Sequence, residues 1–169
     1  ETFGFSYQVM LPVMARDVLK VGASGLGFLS AAGGLGATLS ILLVAGLGDY
    51  RNKGKLLVVS AAGAGLSLAL FAFSPWYLVS LAMIGLAGAA LTAYDATMGT
   101  LLQLLAPDAV RGRVLGLYGL TFGFTPLGGF AAGAVATVAS APFAIGAGAV
   151  TILVYLLRVS GPVGRIRGV

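Results

Sequence analysis

Few side chains in this 169-residue sequence could do chemistry. It contains no histidine and no cysteine, and it has only five carboxylates. Imidazole general bases, thiol nucleophiles, disulfides and the usual zinc and iron–sulfur sites are therefore excluded, because each depends on one of the two missing residue types. We expect no cofactor, no metal and no enzymatic activity.

Asp95 is the carboxylate that lies inside a long apolar stretch, and it is the main functional candidate. A carboxylate at membrane depth is costly unless it meets a wet cavity, a partner or a proton. Asp95 is therefore a candidate site of proton or cation coupling. A structural hydrogen bond to a neighbouring helix and solvation near the membrane interface remain open as alternatives. Tyr94, Thr97 and Gln103, together with Thr92, are candidates for lining a cavity beside it.

The charged residues outside that stretch form short clusters between apolar runs. Ten Lys and Arg oppose five acidic residues, for a net charge of +5. A nucleic-acid-binding face would need clustered basic residues beside exposed aromatics, so we expect no nucleic-acid partner. Loops 49–55 and 107–113 carry both signs of charge, which permits a latch that closes one side of the protein, with solvated loop charges as the alternative. The predicted latch residues are Asp49, Arg51, Lys53, Arg111 and Arg113.

The elements that must position these residues are membrane helices. Hydrophobic residues make up 59% of the chain and charged residues 9%, whereas soluble proteins have about a quarter charged. About 20 apolar residues suffice for one helical crossing. We expect an all-α six-helix transmembrane bundle whose first helix is truncated, or is instead an interfacial helix. The expected helices are 1–15, 22–47, 56–73, 77–105, 114–138 and 142–158, with a tail at 159–169.

The basic residues fall mainly on one side of this predicted bundle. Loops 49–55 and 107–113 and the tail from Arg158 hold eight of the ten, while Arg16 and Lys20 lie on the other side. Cytoplasmic loops of membrane proteins carry an excess of Lys and Arg. The distribution predicts a cytoplasmic C-terminus. In the second of these loops, Asp108 is expected to be the N-cap of the next helix.

Glycine is unusually frequent, with 27 residues in the chain. Small residues let helices approach closely in lipid, and static packing accounts for most of them. The segment around Pro126 differs, because a proline inside a membrane helix removes a backbone hydrogen bond. We predict a hinge there, with a fixed kink as the alternative; its residues are Gly123, Pro126, Gly128 and Gly129.

Three segments of the sequence resemble the C-terminal half of a major facilitator superfamily transporter. Residues 46–55 are similar to a degenerate second copy of the inner-loop signature G-x-L-A-D-R-x-G-R-K, which they match at Leu47, Asp49 and Lys53. Residues 103–114 resemble the loop before the family's eleventh helix. Residues 126–129 resemble the proline-glycine segment of that helix. The positions that depart from the signature are Ala45, Tyr50 and Asn52.

The resemblance covers essentially the whole chain and is closest to bacterial drug, macrolide or siderophore exporters. It implies one half of a twelve-helix fold in the bacterial inner membrane, working with an N-terminal six-helix half by alternating access. It further implies proton-coupled efflux of small amphipathic molecules. A metabolite importer or uniporter of the same superfamily and a non-transporting membrane scaffold subunit are the alternative functions.

Overall fold

The computed structural model describes residues 3–46, 50 and 52–163 of the chain. Its described part is helical and contains no strand, which confirms the expected all-α membrane class. The elements are α1 (Tyr7–Val13), a π-helical turn (Met14–Val18), α2 (Gly22–Gly46), α3 (Lys53–Phe73), α4 (Tyr77–Leu105), α5 (Arg111–Thr121), a 3-10 turn (Phe122–Phe124), α6 (Thr125–Val138) and α7 (Ala141–Val163).

Five helical stretches in the described residues are long and apolar enough to cross a membrane. One of them, Arg111–Val138, consists of α5, the 3-10 turn and α6 in succession. The other four are Gly22–Gly46, Lys53–Phe73, Tyr77–Leu105 and Ala141–Val159. The helical segment before Gly22 is shorter: α1 has seven residues and continues into the π-helical turn.

Prolines set the ends of α3 and α4. Ser74 and Ala106, the residues after these helices, have extended backbone with ψ of 121° and 127°. Each precedes a proline, Pro75 or Pro107, and proline disfavours helical backbone in the residue before it. The chain therefore turns at these two points, and α4 begins two residues after the first proline.

The loops expected at residues 49–55 and 107–113, which we call the two basic loops, contribute their last residues to helices. Whereas the charge-free runs begin at residues 56 and 114, α3 begins at Lys53 and α5 at Arg111. Long basic side chains can extend from a helix end to the interface while their stems stay on apolar surface. A charged residue thus indicates where the membrane interface lies but not where the helix begins.

The expected cap of α5 by Asp108 is wrong. The N-cap is Val110, without a side-chain hydrogen bond. Asp108 lies two residues before the cap, and its Oδ1 accepts an ion-pair contact from Arg111 Nη2 at 2.6 Å. The carboxylate therefore neutralises the first residue of α5 instead of satisfying its free N–H groups.

Helix α4 is the centre of the bundle and packs most extensively against α2 and α3, while α3 also packs on α7. The α2–α4 crossing is a direct backbone contact. A Cβ added at Gly36 would overlap the carbonyl of Gly85, and one added at Gly88 would overlap that of Gly33. We call these four residues the glycine crossing; at Gly36 and Gly88 no side chain would permit the approach.

The buried cluster around this crossing is apolar and draws on α1, the π-helical turn, α2, α3, α4 and α7. Its fully enclosed large side chains include Met14, Leu29, Leu68, Phe71 and Ile84. The outer surface is apolar as well: Trp76, Leu78 and Phe130 are 72%, 79% and 79% exposed. A surface of this composition suits contact with lipid.

Candidate functional site

A pocket of about 380 Å³ lies between α1, α2 and α4, near the middle of the two long helices. Its wall combines aromatic, apolar and polar groups, with Gln8 and Ser30 exposed at the surface. Such a wall suits a molecule that has both an apolar body and hydrogen-bonding groups. Its lining residues include Phe5, Tyr7, Gln8, Ser30, Gly34 and Thr92.

Glycines create the space for this α1–α2–α4 pocket. Gly33 and Gly88 belong to the glycine crossing and also line the pocket. Gly34 lines it too, and a Cβ there would meet nothing within 4 Å. The residues that bring α2 against α4 therefore leave a concave wall beside the crossing, towards α1.

A second pocket, of about 240 Å³, lies where the end of α2, the start of α3 and the last part of α4 meet. It is lined by Lys53 and Tyr50 on the loop side and by Thr97 and Thr100 on α4. Thr97 is 2% exposed, and its hydroxyl has no hydrogen-bond partner among the residues that the structure describes. The α2–α3–α4 pocket thus places two threonines of α4 beside the loop at residues 49–55.

The structure does not bring the predicted cavity residues to one place. Thr92 lines the α1–α2–α4 pocket, whereas Thr97 lines the α2–α3–α4 pocket. Five residues turn an α-helix by about 500°, so these two threonines lie on different faces of α4. Tyr94 is half-buried and has an interaction of its own, and Gln103 is exposed and lines neither pocket.

Asp95 is half-buried and lies one turn beyond Thr92 along α4. The hydroxyl of Tyr118 on α5 donates a hydrogen bond to its Oδ1 over 3.4 Å. This is a long bond for a hydroxyl donor. The contact shows that the carboxylate faces another helix, as the interpretation of a structural hydrogen bond expects. Asp95 itself lines neither pocket, so its coupling role stays a prediction.

Two of the predicted latch residues, Arg111 and Lys53, have local partners in this structure. Arg111 pairs with Asp108 and also donates to the carbonyl of Ala106 at 3.3 Å, while its buried Nε has no partner within the described part of the chain. Lys53 donates to the carbonyl of Tyr50 at 3.1 Å and has a further interaction. Arg113 is exposed. Asp49 and Arg51 lie outside the described residues, so the latch stays a prediction.

The predicted hinge coincides with a change of helix type. The 3-10 turn Phe122–Phe124 separates α5 from α6, and Pro126 follows in the first turn of α6. Short 3-10 stretches within a helix often mark a hinge or strain. Gly123 is exposed and open around its Cα, whereas Gly128 and Gly129 are buried, and Gly129 packs against Val9 of α1. The four residues thus divide between a bend and a packing contact.

Comparison with known proteins identifies the chain's family. The family of transmembrane secretion effectors, within the major facilitator superfamily, matches residues 2–162. The chain belongs to this family. The enterobactin exporters EntS of Escherichia coli O1:K1 / APEC and Escherichia coli O45:K1 (strain S88 / ExPEC) are each 31% identical over 172 residues. The match covers 98% of this chain and 41% of each exporter; no solved structure matches.

The resemblance to the major facilitator superfamily is thereby confirmed, and the chain spans about two fifths of the length of these relatives. Its membrane helices make it a multi-pass membrane protein of that superfamily. Within the described residues, no group of three or more acidic, histidine or cysteine side chains could hold a metal ion. The relatives' names describe transport.

Sequence reasoning missed two features of this superfamily member. The glycine crossing was not singled out, although Gly33-x-x-Gly36 and Gly85-x-x-Gly88 repeat one spacing on two apolar helices. Tyr118 was not recognised as the partner of Asp95, because α5 and α4 meet only in the tertiary structure. Matching glycine spacings could have indicated the first, whereas no local signal pointed to the second.

Proposed function

We propose that this chain is the C-terminal six-helix half of a secondary active exporter in a bacterial inner membrane. Together with an N-terminal six-helix half, it moves a small amphipathic molecule outward by alternating access, coupled to protons. The chain's C-terminus is cytoplasmic. The observation that carries this proposal is the α1–α2–α4 pocket, a mid-helix concavity in a chain of the transmembrane secretion effector family.

The pocket wall supports the choice of substrate class. Phe5 and Tyr7 offer aromatic surface, and the exposed Gln8 and Ser30 supply hydrogen-bonding groups at the open side. A half-pocket that opens outward is completed when a second half packs against it. Since the related EntS proteins are named enterobactin exporters, enterobactin is the first substrate to test.

Asp95 is the coupling residue of this proposal. It follows Thr92 by three residues on α4, which corresponds to a distance of about 4.5 Å along the helix axis. A proton bound at Asp95 therefore changes the charge about one helical turn from Thr92 in the pocket wall, and we expect it to change the affinity of the pocket for the substrate. The test is Asp95→Asn in the complete transporter, and an unchanged pH profile of transport removes the coupling role.

The latch is the second part of the proposed cycle. Arg111 exchanges its local partner Asp108 for Asp49, and Arg113, Arg51 and Lys53 add charge around the same closure. Exposed ion pairs exchange partners readily because each contributes little. Asp49→Arg should impair cycling, and a paired Arg111→Asp should restore part of it; independent, additive losses would contradict the contact.

The decisive experiment tests whether a side chain that fills the α1–α2–α4 pocket lowers transport. Gly34→Leu places a side chain into the α1–α2–α4 pocket, where a Cβ meets no neighbour. Gly27→Leu is the matched control, because Gly27 lies on the same helix, is equally open and lines neither pocket. Transport of enterobactin by the complete transporter in proteoliposomes is measured with a pH gradient present and then collapsed.

The proposal expects Gly34→Leu to lower transport at least about tenfold while Gly27→Leu stays close to wild type. Equal rates for the two variants would remove the pocket from the substrate path. Transport that persists after the gradient is collapsed would favour an importer or uniporter of the superfamily. No transport of any tested amphipathic molecule by the intact protein would favour the scaffold function.

A further inference from the structure

We propose that Tyr118 is the positioning residue of Asp95 and carries its protonation state to the bend at Phe122–Phe124. This inference rests on the proposed coupling role of Asp95. It adds a residue that neither the sequence motifs nor the family match singles out. The structural basis is a continuous set of contacts from the carboxylate to the first residue of the 3-10 turn.

The first contact joins two helices that otherwise touch little. The Tyr118 hydroxyl donates to Asp95 Oδ1 across the α4–α5 interface at 3.4 Å. Helix α5 has no buried side chain, and within the described residues it meets the bundle chiefly through α4. The hydroxyl contact is therefore one of the contacts that join α5 to α4.

The second and third contacts join Tyr118 to the bend. Its carbonyl oxygen accepts a hydrogen bond from Thr121 Oγ1 at 2.6 Å. Its ring meets the ring of Phe122 edge-on, with centroids 5.7 Å apart and planes inclined at 68°. Phe122 is the first residue of the 3-10 turn, so the ring that holds Asp95 also touches the point where the helix changes type.

Among the described residues, few charged groups lie on the helices that meet at this contact, and α4 also carries the titratable Tyr77 and Tyr94. Helix α2 carries no charged residue, and those of α3 are Lys53 and Lys55 in its first turn. On α5 they are Arg111 and Arg113 at its start, together with Tyr118 itself. Asp95 is the acidic residue of α4. A change of charge at Asp95 acts directly on the Tyr118 hydroxyl, which donates to its Oδ1.

The proposed step involves one proton, which Asp95 takes from solution. In the ionised state, Asp95 accepts the Tyr118 hydroxyl hydrogen bond as a charged acceptor, which is the stronger form of that bond. When a proton from solution binds the carboxylate, the charge is lost and the bond weakens. Helix α5 is then released from α4, and the 3-10 turn before Pro126 absorbs the movement.

The test uses Tyr118→Phe in the complete transporter, because this change removes one oxygen and keeps the ring against Phe122. Tyr77→Phe is the matched control: its hydroxyl also links α4 to another helix, by donating to the carbonyl of Gly25 at 3.1 Å, but it lies 18 residues from Asp95. The measured quantity is the pH of half-maximal transport in proteoliposomes, with Asp95→Asn measured in parallel.

We expect Tyr118→Phe to raise the pH of half-maximal transport by about half a unit, because the ionised carboxylate loses a donor. Tyr77→Phe should leave that pH unchanged. If Asp95→Asn keeps the wild-type profile, the coupling role itself fails. If Asp95→Asn alters the profile while Tyr118→Phe behaves like Tyr77→Phe, coupling stands and the positioning role of Tyr118 is overturned.

Amide hydrogen exchange across residues 120–128 provides a readout independent of transport. After correction for intrinsic exchange, protection in the wild type should fall as the pH is lowered, and this change should disappear in both Asp95→Asn and Tyr118→Phe. Phe122→Leu should keep the wild-type pH of half-maximal transport but lose the change in protection. A pH-dependent change that persists in Tyr118→Phe would refute the link to the bend.

Discussion

Two glycine-rich regions of this molecule use the same residue type for opposite purposes. At the glycine crossing of α2 and α4, the missing side chains let two backbones touch. Along α5 and the turn after it, Gly116, Gly119 and Gly123 have nothing within 4 Å of an added Cβ. The number of glycines in a helix therefore does not show how closely that helix packs. A missing side chain permits a closer approach only where a neighbouring helix lies against the glycine.

The open region is also the one where the helix changes type. The closed region has an uninterrupted α4 and the most extensive helix contacts of the bundle. The open region contains the 3-10 turn and the exposed rings of Phe122 and Phe124. Within the described residues, one side of the fold is thus closely packed and the other is more open.

The largest effect is expected at the closed region. Gly36→Ala should destabilise the protein by about 3 kcal/mol, because the new Cβ overlaps the backbone of Gly85, which cannot move aside without separating α2 from α4. The thermal midpoint in detergent and the yield of monodisperse protein measure it. Gly27→Ala, on the same helix with open space, is the control; equal midpoints for the two would contradict the crossing.

An intermediate effect is expected at the contact between α6 and α1, outside both regions. A Cβ at Gly129 would lie 2.7 Å from Cγ2 of Val9, so Gly129→Ala should cost about 1 kcal/mol. Because the obstacle is a side chain, Val9→Ala should relieve much of that cost in the double variant. The same thermal midpoint reports it, and Gly133→Ala, one turn further along with open space, should be neutral.

A smaller stability effect, with a change in rate, is expected in the open region. Gly123→Ala meets no neighbour and should leave the free energy of unfolding within about 0.5 kcal/mol. If the bend moves during transport, turnover should nevertheless fall about threefold. Gly119→Ala, outside the turn, should leave both quantities unchanged. A Gly123→Ala variant with wild-type turnover would favour a fixed kink.

The smallest effect tests whether surface charge contributes to the closed region. In the turn before α2, the hydrogen bonds from Arg16 lower the pKa of the exposed Asp17 carboxyl. Its stabilising contribution is therefore present above the ordinary pKa of the group and is lost as the pH falls through the lowered value. Asp17→Asn should scarcely change the thermal midpoint at pH 7, and a clear drop would show that charge supports the closed region.

Much of the fold could be predicted from sequence because the bilayer imposes a simple rule. Apolar runs bounded by Pro75 and Pro107 had to be helices, since every backbone group needs an internal partner in lipid. The starts at Lys53 and Arg111 could not be read in the same way, because charged residues at the interface remain helical. Asp108 was misread for a related reason: a cap depends on backbone geometry that composition does not specify.

The candidate site was predictable in part. Asp95 could be singled out because a carboxylate in an apolar run is rare whatever surrounds it. Its relation to Tyr118 could not, since the two residues are 23 positions apart on separate helices. Thr92 and Thr97 were expected to share a cavity because they are close in sequence, but helical rotation turns them towards different pockets.

Composition and short motifs are enough to indicate the membrane environment, the helical class, the superfamily and the small number of reactive side chains. The packing of the helices in three dimensions is needed to show which glycines touch a neighbour, which helices enclose the α1–α2–α4 pocket and which hydroxyl faces Asp95. The physical reason is that van der Waals packing between membrane helices depends on shape at the point of contact. That shape exists only once two helices have met.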